Sequence, residues 1–376
     1  MIERTSLKTL QSSLKSGKIL ILTGPRQVGK TTLLKEIQRS FEGKTIWLNC
    51  DEPDIRQQLT NVTSTQLRVL VGNADLILID EAQRVKNIGI TLKLLIDNFP
   101  EKKVVVTGSS ALELSNEMQE PLTGRKFEFN LLPFSTEELV QHNGIIEEKR
   151  LLEHRLIYGQ YPEVVLNEGN EEIILRNICD SYLYKDIFSY QDIRKSEVIS
   201  SLLEALALQM GSEVSYHELS KILKIDQATV TRYIDLLEKS FVVFRLRALS
   251  RNARNEIGKS RKIYFYDNGI RNALIKNYQP LNLRNDKGAL WENYLVNERL
   301  KLLKYHQKQV NSFFWRTTQQ QEIDYIEESN GQFAAYEFKF SPDKKVKFPQ
   351  SFINNYPISV AETIHTDNYL EFVITT

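Results

Sequence analysis

The sequence predicts an α/β protein built on a parallel sheet, followed by further helical and α/β regions. Three observations carry that prediction. Short apolar runs alternate with helical patterns up to about residue 140. A glycine-rich turn joins the first run to the helix after it. A later apolar run ends in two adjacent carboxylates.

The first run, Ile19-Leu20-Ile21-Leu22, reads as a buried strand. The turn after it is Gly24-Pro25-Arg26-Gln27-Val28-Gly29-Lys30-Thr31, the GxxxxGKT phosphate-binding pattern, and Thr32-Leu33-Leu34-Lys35-Glu36-Ile37 begins a helix. Glycines let the backbone curl until its N–H groups face phosphate oxygens, and the helix N-terminus adds positive potential. The expected nucleotide contacts are therefore Gly24, Pro25, Arg26, Gln27, Val28, Gly29, Lys30, Thr31 and Thr32, with Lys30 on the β- and γ-phosphates and Thr31 on Mg²⁺. The competing reading is a glycine turn without a ligand.

Thr45-Ile46-Trp47-Leu48-Asn49 is the next expected strand. Asp75-Leu76-Ile77-Leu78-Ile79-Asp80-Glu81 follows as a strand of the Walker B type. Asp80 is expected in the Mg²⁺ shell, and Glu81 beside the attacking water. Ligands of parallel sheets sit at the carboxyl ends of strands, where this pair lies. A helix is expected around Thr91 to Asn98. Val104-Val105-Val106-Thr107 is a third strand, and Ser109 or Ser110 just beyond it is the candidate γ-phosphate sensor, or else a helix N-cap. Phe127-Glu128-Phe129-Asn130-Leu131 closes the sheet. Before it stands Arg125, either a solvated loop residue or a guanidinium that reaches a γ-phosphate in its own subunit or in a neighbour's.

Beyond Pro133 the pattern turns helical and aromatic, with Ser135 as N-cap and Glu138 three residues later. Residues 216–223 and 227–239 read as two helices around a turn, capped first by Ser215, and two strands follow. The pattern is that of a winged helix. Between Arg245 and Lys262 seven basic residues face one acid, Glu256. Such a patch suits phosphates. Gln227, Thr229 and Arg232 are candidate groove contacts, with Arg251 and Arg254 in the wing. Protein packing is the competing use of the same elements.

The last region holds a helix opening at Gly288-Ala289-Leu290-Trp291-Glu292-Asn293 and three strands. Asp324, then Glu337-Phe338-Lys339 after a turn, gives a D…ExK pattern. Asp324 and Glu337 are candidate ligands of a divalent metal, with Lys339 steadying charge and Glu292 approaching from the helix. A charged surface hairpin, or a scaffold without activity, fits the same residues.

Composition bounds these readings. The 376 residues suffice for several domains, and 41% apolar with 26% charged residues is ordinary for a soluble chain. A formal net charge of +1 excludes a basic whole-molecule field, so any nucleic-acid footprint is local. The two cysteines, Cys50 and Cys179, lack metal-ligand spacing and suit a reducing cytoplasm. No signal core or membrane span is expected. The expected domains are residues 1–134 (ATPase core), 135–205 (helical lid), 206–280 (winged helix) and 281–376 (nuclease-like).

The segments GPRQVGKTTLL, LILIDEAQ, VVTGSS, GQYPEVV, YFYDNGIRNAL, WENYLVNERL, IDYI and EFK, in this order, resemble a prokaryotic AAA-type ATPase family. The resemblance spans nearly the whole chain. It implies a P-loop ATPase core, a winged helix and a C-terminal domain similar to PD-(D/E)xK nucleases. It implies ATP and Mg²⁺ as cofactors and DNA, branched junctions included, as partner, with no membrane. Assembly as a homo-oligomer, in many relatives a hexameric ring, is also implied. It gives the ATPase roles to Lys30, Thr31, Asp80 and Glu81, and the nuclease-like roles to Asp324, Glu337 and Lys339. The alternative is a switch in which the ATP state governs docking of a protein partner.

Overall fold

The computed structural model describes residues 2–108, 121–180, 196–250, 261–344 and 346–375. Two compact units divide the chain. The first is Met1–Leu132 with Lys239–Phe241, and the second is Pro133–Glu238 with Val242–Thr376.

In the first unit the strands are β1 (Ile19–Thr23), β2 (Thr45–Asn49), β3 (Leu76–Asp80), β4 (Lys103–Gly108) and β5 (Lys126–Asn130). The helices are α1 (Ser6–Ser13), α2 (Lys30–Ser40), α3 (Pro53–Leu59), α4 (Ser64–Val71) and α5 (Ile88–Asn98). All strands run parallel in the order β2-β3-β4-β1-β5. β4 therefore lies between the strand of the glycine-rich loop and the strand of the paired carboxylates. Every residue of β1 and β3 is buried. A central parallel strand is covered on both faces, which is why these read as unbroken apolar runs rather than alternating ones. Helix α2 buries Leu33, Leu34 and Ile37, one stripe at helical spacing. A reciprocal Thr63–Gln66 capping box opens α4.

The second unit begins with α6 (Thr136–Asn143), opened by the Ser135–Glu138 capping box, then α7 (Ile145–Arg150), α8 (Leu152–Tyr158), α9 (Pro162–Leu166) and α10 (Glu171–Ile178). Next come α11 (Ser196–Leu208), α12 (Tyr216–Leu223), α13 (Gln227–Lys239), α14 (Asn268–Leu274) and α15 (Lys287–Tyr305), and finally α16 (Gln350–Ile353) and α17 (Tyr369–Val373). Its strands are β6 (Val243–Ala248), β7 (Arg261–Phe265), β8 (Asn311–Arg316), β9 (Glu322–Ser329), β10 (Gln332–Phe338) and β11 (Ile358–Ile364). They form one mixed sheet, β11-β10-β9-β8-β6-β7. The hairpin β6–β7 pairs through β6 with β8 in parallel, Arg247 opposite Phe313 and Ala248 opposite Phe314. The hairpin expected as a wing and the strands expected as a nuclease-like core thus share one sheet. Sequence periodicity marks β6 to β10 but misses β11, and it is blind to which strands become neighbours.

Within this unit α15 is buried along most of its length, and it carries polar residues inward. Asn293 donates to the Phe265 carbonyl and accepts from its amide, at 3.1 and 2.7 Å. Lys301 and Glu298 pair at 2.6 Å in full burial, and Lys301 also donates to the Phe134 carbonyl at 2.8 Å. Partners of this kind make burial of charge tolerable.

Candidate nucleotide site

The loop after β1 is fixed by steric and hydrogen-bond demands that can be read residue by residue. At Gly24 a Cβ would lie 2.0 Å from the carbonyl oxygen of Leu131, so only glycine lets β1 exit this close to the end of β5. Gly29, just before α2, has φ of 94°, a conformation that side chains rarely adopt. Lys30 is 5% exposed, and its Nζ donates to the carbonyls of Gly24 and Pro25 at 2.8 and 2.7 Å. The ammonium thus sits inside the curl of the loop. Gln27 and Thr32 are exposed, and Arg26 is half-buried.

The carboxylate pair stands opposite. Thr31 Oγ1 donates to Asp80 Oδ2 at 2.9 Å, and Asp80 is 4% exposed. Glu81 has φ of 55°, a left-handed conformation that costs a non-glycine residue about 1–2 kcal/mol. Its carboxylate accepts from Gln83 Nε2 at 2.5 Å. Strain of this kind gathers at working sites. Burial, then the charges of Asp80, Asp51 and Glu81, push the Cys50 thiol up to about 12, so that buried cysteine stays an inert thiol.

Two residues missed from the sequence join the site. Thr107, fully buried near the end of β4, donates through Oγ1 to Asp80 Oδ1 and accepts the Glu81 amide at 3.1 Å. One hydroxyl therefore fixes both acidic residues. Ser109 and Ser110, the sequence candidates for a polar group at this strand end, lie outside the described residues. The signal for Thr107 was present: it is the one polar side chain in an otherwise valine run. Arg4 is the second. Its guanidinium donates to the Val28 carbonyl in the loop and to the Leu132 carbonyl, the latter at 2.5 Å. No motif marks an arginine that lies 24 positions from its partner.

Arg125 is not at this site. It immediately precedes β5, and its carbonyl accepts from the amide of Ile19, the first residue of β1. The glycine-rich loop leaves the other end of β1, about 16 Å away at the rise of a strand. The guanidinium pairs with Asp97 through two hydrogen bonds, 2.7 and 3.2 Å. The expectation that Arg125 reaches the phosphates within its own chain is thereby corrected.

In the second unit the structure brings Asp324, Glu337, Lys339 and Glu292 into one neighbourhood, but around lysines. Lys339 Nζ lies 2.8 Å from Glu337 Oε2 and 3.4 Å from Asp324 Oδ2. Lys262 Nζ lies 2.8 Å from Glu292 and 2.6 Å from Glu322. Burial, then the neighbouring Asp324, push the Glu337 carboxyl up to about 7. Among the described residues no group of three or more His, Cys, Asp or Glu side chains is placed to hold a metal ion.

The expected DNA-contact residues fare unevenly. Gln227 and Arg232 are exposed on α13. Thr229 helps close the helix start: its amide and hydroxyl donate to Asp226 at 2.8 and 2.6 Å. Arg251 and Arg254 lie outside the described residues. Arg245 is spent on Asp235, at 2.6 Å, and on Glu238, and Lys262 is buried. Among the described residues of the basic run, Arg245 and Lys262 are therefore withdrawn from the surface charge that its composition suggests.

Comparison with known proteins bears on both units. Residues 16–140 match the family model described as an AAA domain. The fold covers 73% of this chain and 96% of the Walker-type ATPase of Pyrococcus abyssi, with a TM-score of 0.52 at 16% identity. This is an AAA-type P-loop ATPase fold. Residues 149–283 and 287–369 match two further models, each described as a domain of unknown function. An uncharacterised protein of Mycobacterium tuberculosis is 27% identical over 344 residues, covering 89% of this chain and 73% of that protein. One of Haemophilus influenzae is 26% identical, covering 74% and 72%. No helix among the described residues is long and apolar enough to cross a membrane.

Proposed function

We propose that this chain is a Mg²⁺-dependent ATPase that binds DNA through the helices and hairpin of residues 206–280. The observation that carries the ATPase reading is the 2.9 Å bond from Thr31 to Asp80, with Glu81 next in sequence. A hydroxyl and a carboxylate that meet this way present two hard oxygens, the donor set that Mg²⁺ takes beside phosphates. When bound, the ion would neutralise charge that builds on the transferred phosphoryl group. Lys30 would turn its ammonium from the loop carbonyls to phosphate oxygens. Loop N–H groups and the start of α2 would hold the remaining negative charge. Glu81 would orient the attacking water and accept its proton, and Thr107 would hold Glu81 and Asp80 in register.

The DNA reading rests on exposed Gln227 and Arg232 at the second helix of a helix–turn–helix, with Arg247 exposed on the hairpin. The turn contains Lys224 at φ of 54°, as a tight helix-to-helix reversal requires. Homo-oligomer formation belongs to the same proposal, with Arg125 open to a role on a neighbouring copy. Phosphate release measured with duplex, single-stranded and junction DNA over a range of salt tests this reading. Stimulation that fades steeply as salt rises is the expected result. A rate indifferent to every DNA form would remove DNA from the account.

A second reading is favoured by the spent charges of Arg245 and Lys262. In it the ATP state controls docking of a protein partner, and the same elements form the docking surface. ATP-dependent assembly without any DNA response would support it.

A further inference from the structure

Four carboxylates, Glu292, Glu322, Asp324 and Glu337, gather where α15, β9 and β10 meet. Tyr325 pairs with Tyr336 across the two strands, and Asp324 and Glu337 are the next residues beyond that pair. Like charges in such facing positions repel. A divalent metal would relieve that repulsion, with oxygens drawn to about 2.0–2.6 Å around it. This chain supplies cations of its own instead. Lys339, two residues after Glu337, bridges Glu337 and Asp324. The second cation comes from outside the D…ExK pattern. Lys262 stands on β7, in the hairpin, and is 1% exposed. Its ammonium bridges Glu292 and Glu322 at 2.8 and 2.6 Å and lies over the ring of Phe314, 5.5 Å from its centre. Tyr264, two residues further along β7, donates its hydroxyl to the same Glu292 oxygen at 2.6 Å. Burial pulls the pKa of the ammonium down, but the flanking Glu292, Asp324 and Glu322 together outweigh it and raise the pKa, so the charge is kept.

We propose that Lys262 is the cation around which this carboxylate cluster is built, so that the C-terminal sheet takes no divalent metal while Lys262 is in place. Glu292 and Glu322, which a metal would recruit, are committed to the lysine. Asp324 Oδ2 is likewise committed, to the Phe338 amide at 2.8 Å and to Lys339. The residues present do not fit the nuclease-type metal expected from the sequence. The continuous sheet supplies the physical reason, since it carries the hairpin lysine into the cluster. The same geometry predicts that removing the lysine charge exposes a cation site, because four carboxylates would then share only the Lys339 ammonium and the more distant Arg316 guanidinium, 3.8 Å from Glu322. This inference is independent of the nucleotide site.

The test is Mn²⁺ binding, followed by electron paramagnetic resonance on the full chain without nucleotide. Asp80→Asn is present throughout to silence the loop site. The readout is the binding that disappears when Asp324→Asn is added. The expected result is none in the Asp80→Asn chain, and about one Mn²⁺ per chain once Lys262→Met is added. Lys262→Gln, which keeps a donor toward Glu292, replaces methionine if that variant fails to fold. Asp324-dependent Mn²⁺ in the chain that keeps Lys262 would overturn the proposal. So would its absence in folded chains that lack the lysine.

Discussion

Thr31 donates its hydroxyl to the carboxylate of Asp80, joining the first turn of α2 to the last residue of β3 across 2.9 Å. The two residues are 49 positions apart. They meet because β3 and β1 run parallel with one strand between them, which places both carboxyl ends on one edge of the sheet. Thr31→Ala is expected to lower ATP turnover about 10²-fold or more, the usual cost of one lost electrostatic stabiliser. Thr31→Ser, which keeps the hydroxyl, should retain most of it. Phosphate release at saturating ATP with Mg²⁺ reads both.

Lys30 and Glu81 should separate binding from chemistry. Lys30→Ala removes the ammonium inside the loop and is expected to abolish nucleotide binding by calorimetry. Glu81→Gln keeps the shape and the bond to Gln83 but loses the base. It should bind ATP normally and turn over about 10²–10⁴-fold more slowly. Normal turnover by either variant would refute its assigned role.

Thr107 holds two acidic residues with one hydroxyl. Thr107→Val keeps the volume but leaves an Asp80 oxygen and the Glu81 amide without their partner. A loss of about 1–3 kcal/mol is expected from thermal or denaturant unfolding, with turnover falling more than ATP affinity. Thr107→Ser should restore both, an outcome that a purely steric role would not produce.

Gly24 tests the close approach of β1 and β5. Gly24→Ala forces its methyl against the Leu131 carbonyl oxygen, at 2.0 Å before any movement. Overpacking costs about 1–3 kcal/mol. Because the displaced backbone begins the phosphate loop, ATP affinity should fall together with the melting temperature.

Asp286 sets one pH dependence. Burial alone would raise its carboxyl, but hydrogen bonds and charge from Arg284 and Arg271 outweigh burial and hold it at about 2. An unfolded aspartate titrates near 3.9. The folded state therefore binds fewer protons between these values, and stability from this group is present above about pH 4. It is lost as pH falls toward about 2. Asp286→Asn should lower the melting temperature at pH 7 and flatten its fall over that window, as read by calorimetric scans.

Much of this was legible in the amino-acid order. Gly24 to Thr31 declares its turn because few residue types can make it, and the apolar runs declare β1 and β3 because central parallel strands are buried on both faces. Ser135 with Glu138, and Ser215 before α12, announce helix starts through local hydrogen bonds that span three residues. Local chemistry of this kind needs no knowledge of distant chain. Arg125 could not be placed that way. It precedes β5, so its distance from the loop depends on whether β5 runs parallel to β1, and the pairing of the two strands decides that.

What the chain alone determined is its inventory: a phosphate-type loop, an acidic pair at a strand end, and the positions of most helices and strands. Tertiary structure decided the partnerships. It made Thr107 an anchor of Asp80 and Glu81, and it sent Arg125 to Asp97. It also filled the C-terminal carboxylate cluster with a lysine from a hairpin 62 positions before Asp324. Short-range periodicity records how a segment folds on itself. Pairing between strands far apart in sequence is settled by register and burial, which no local pattern encodes.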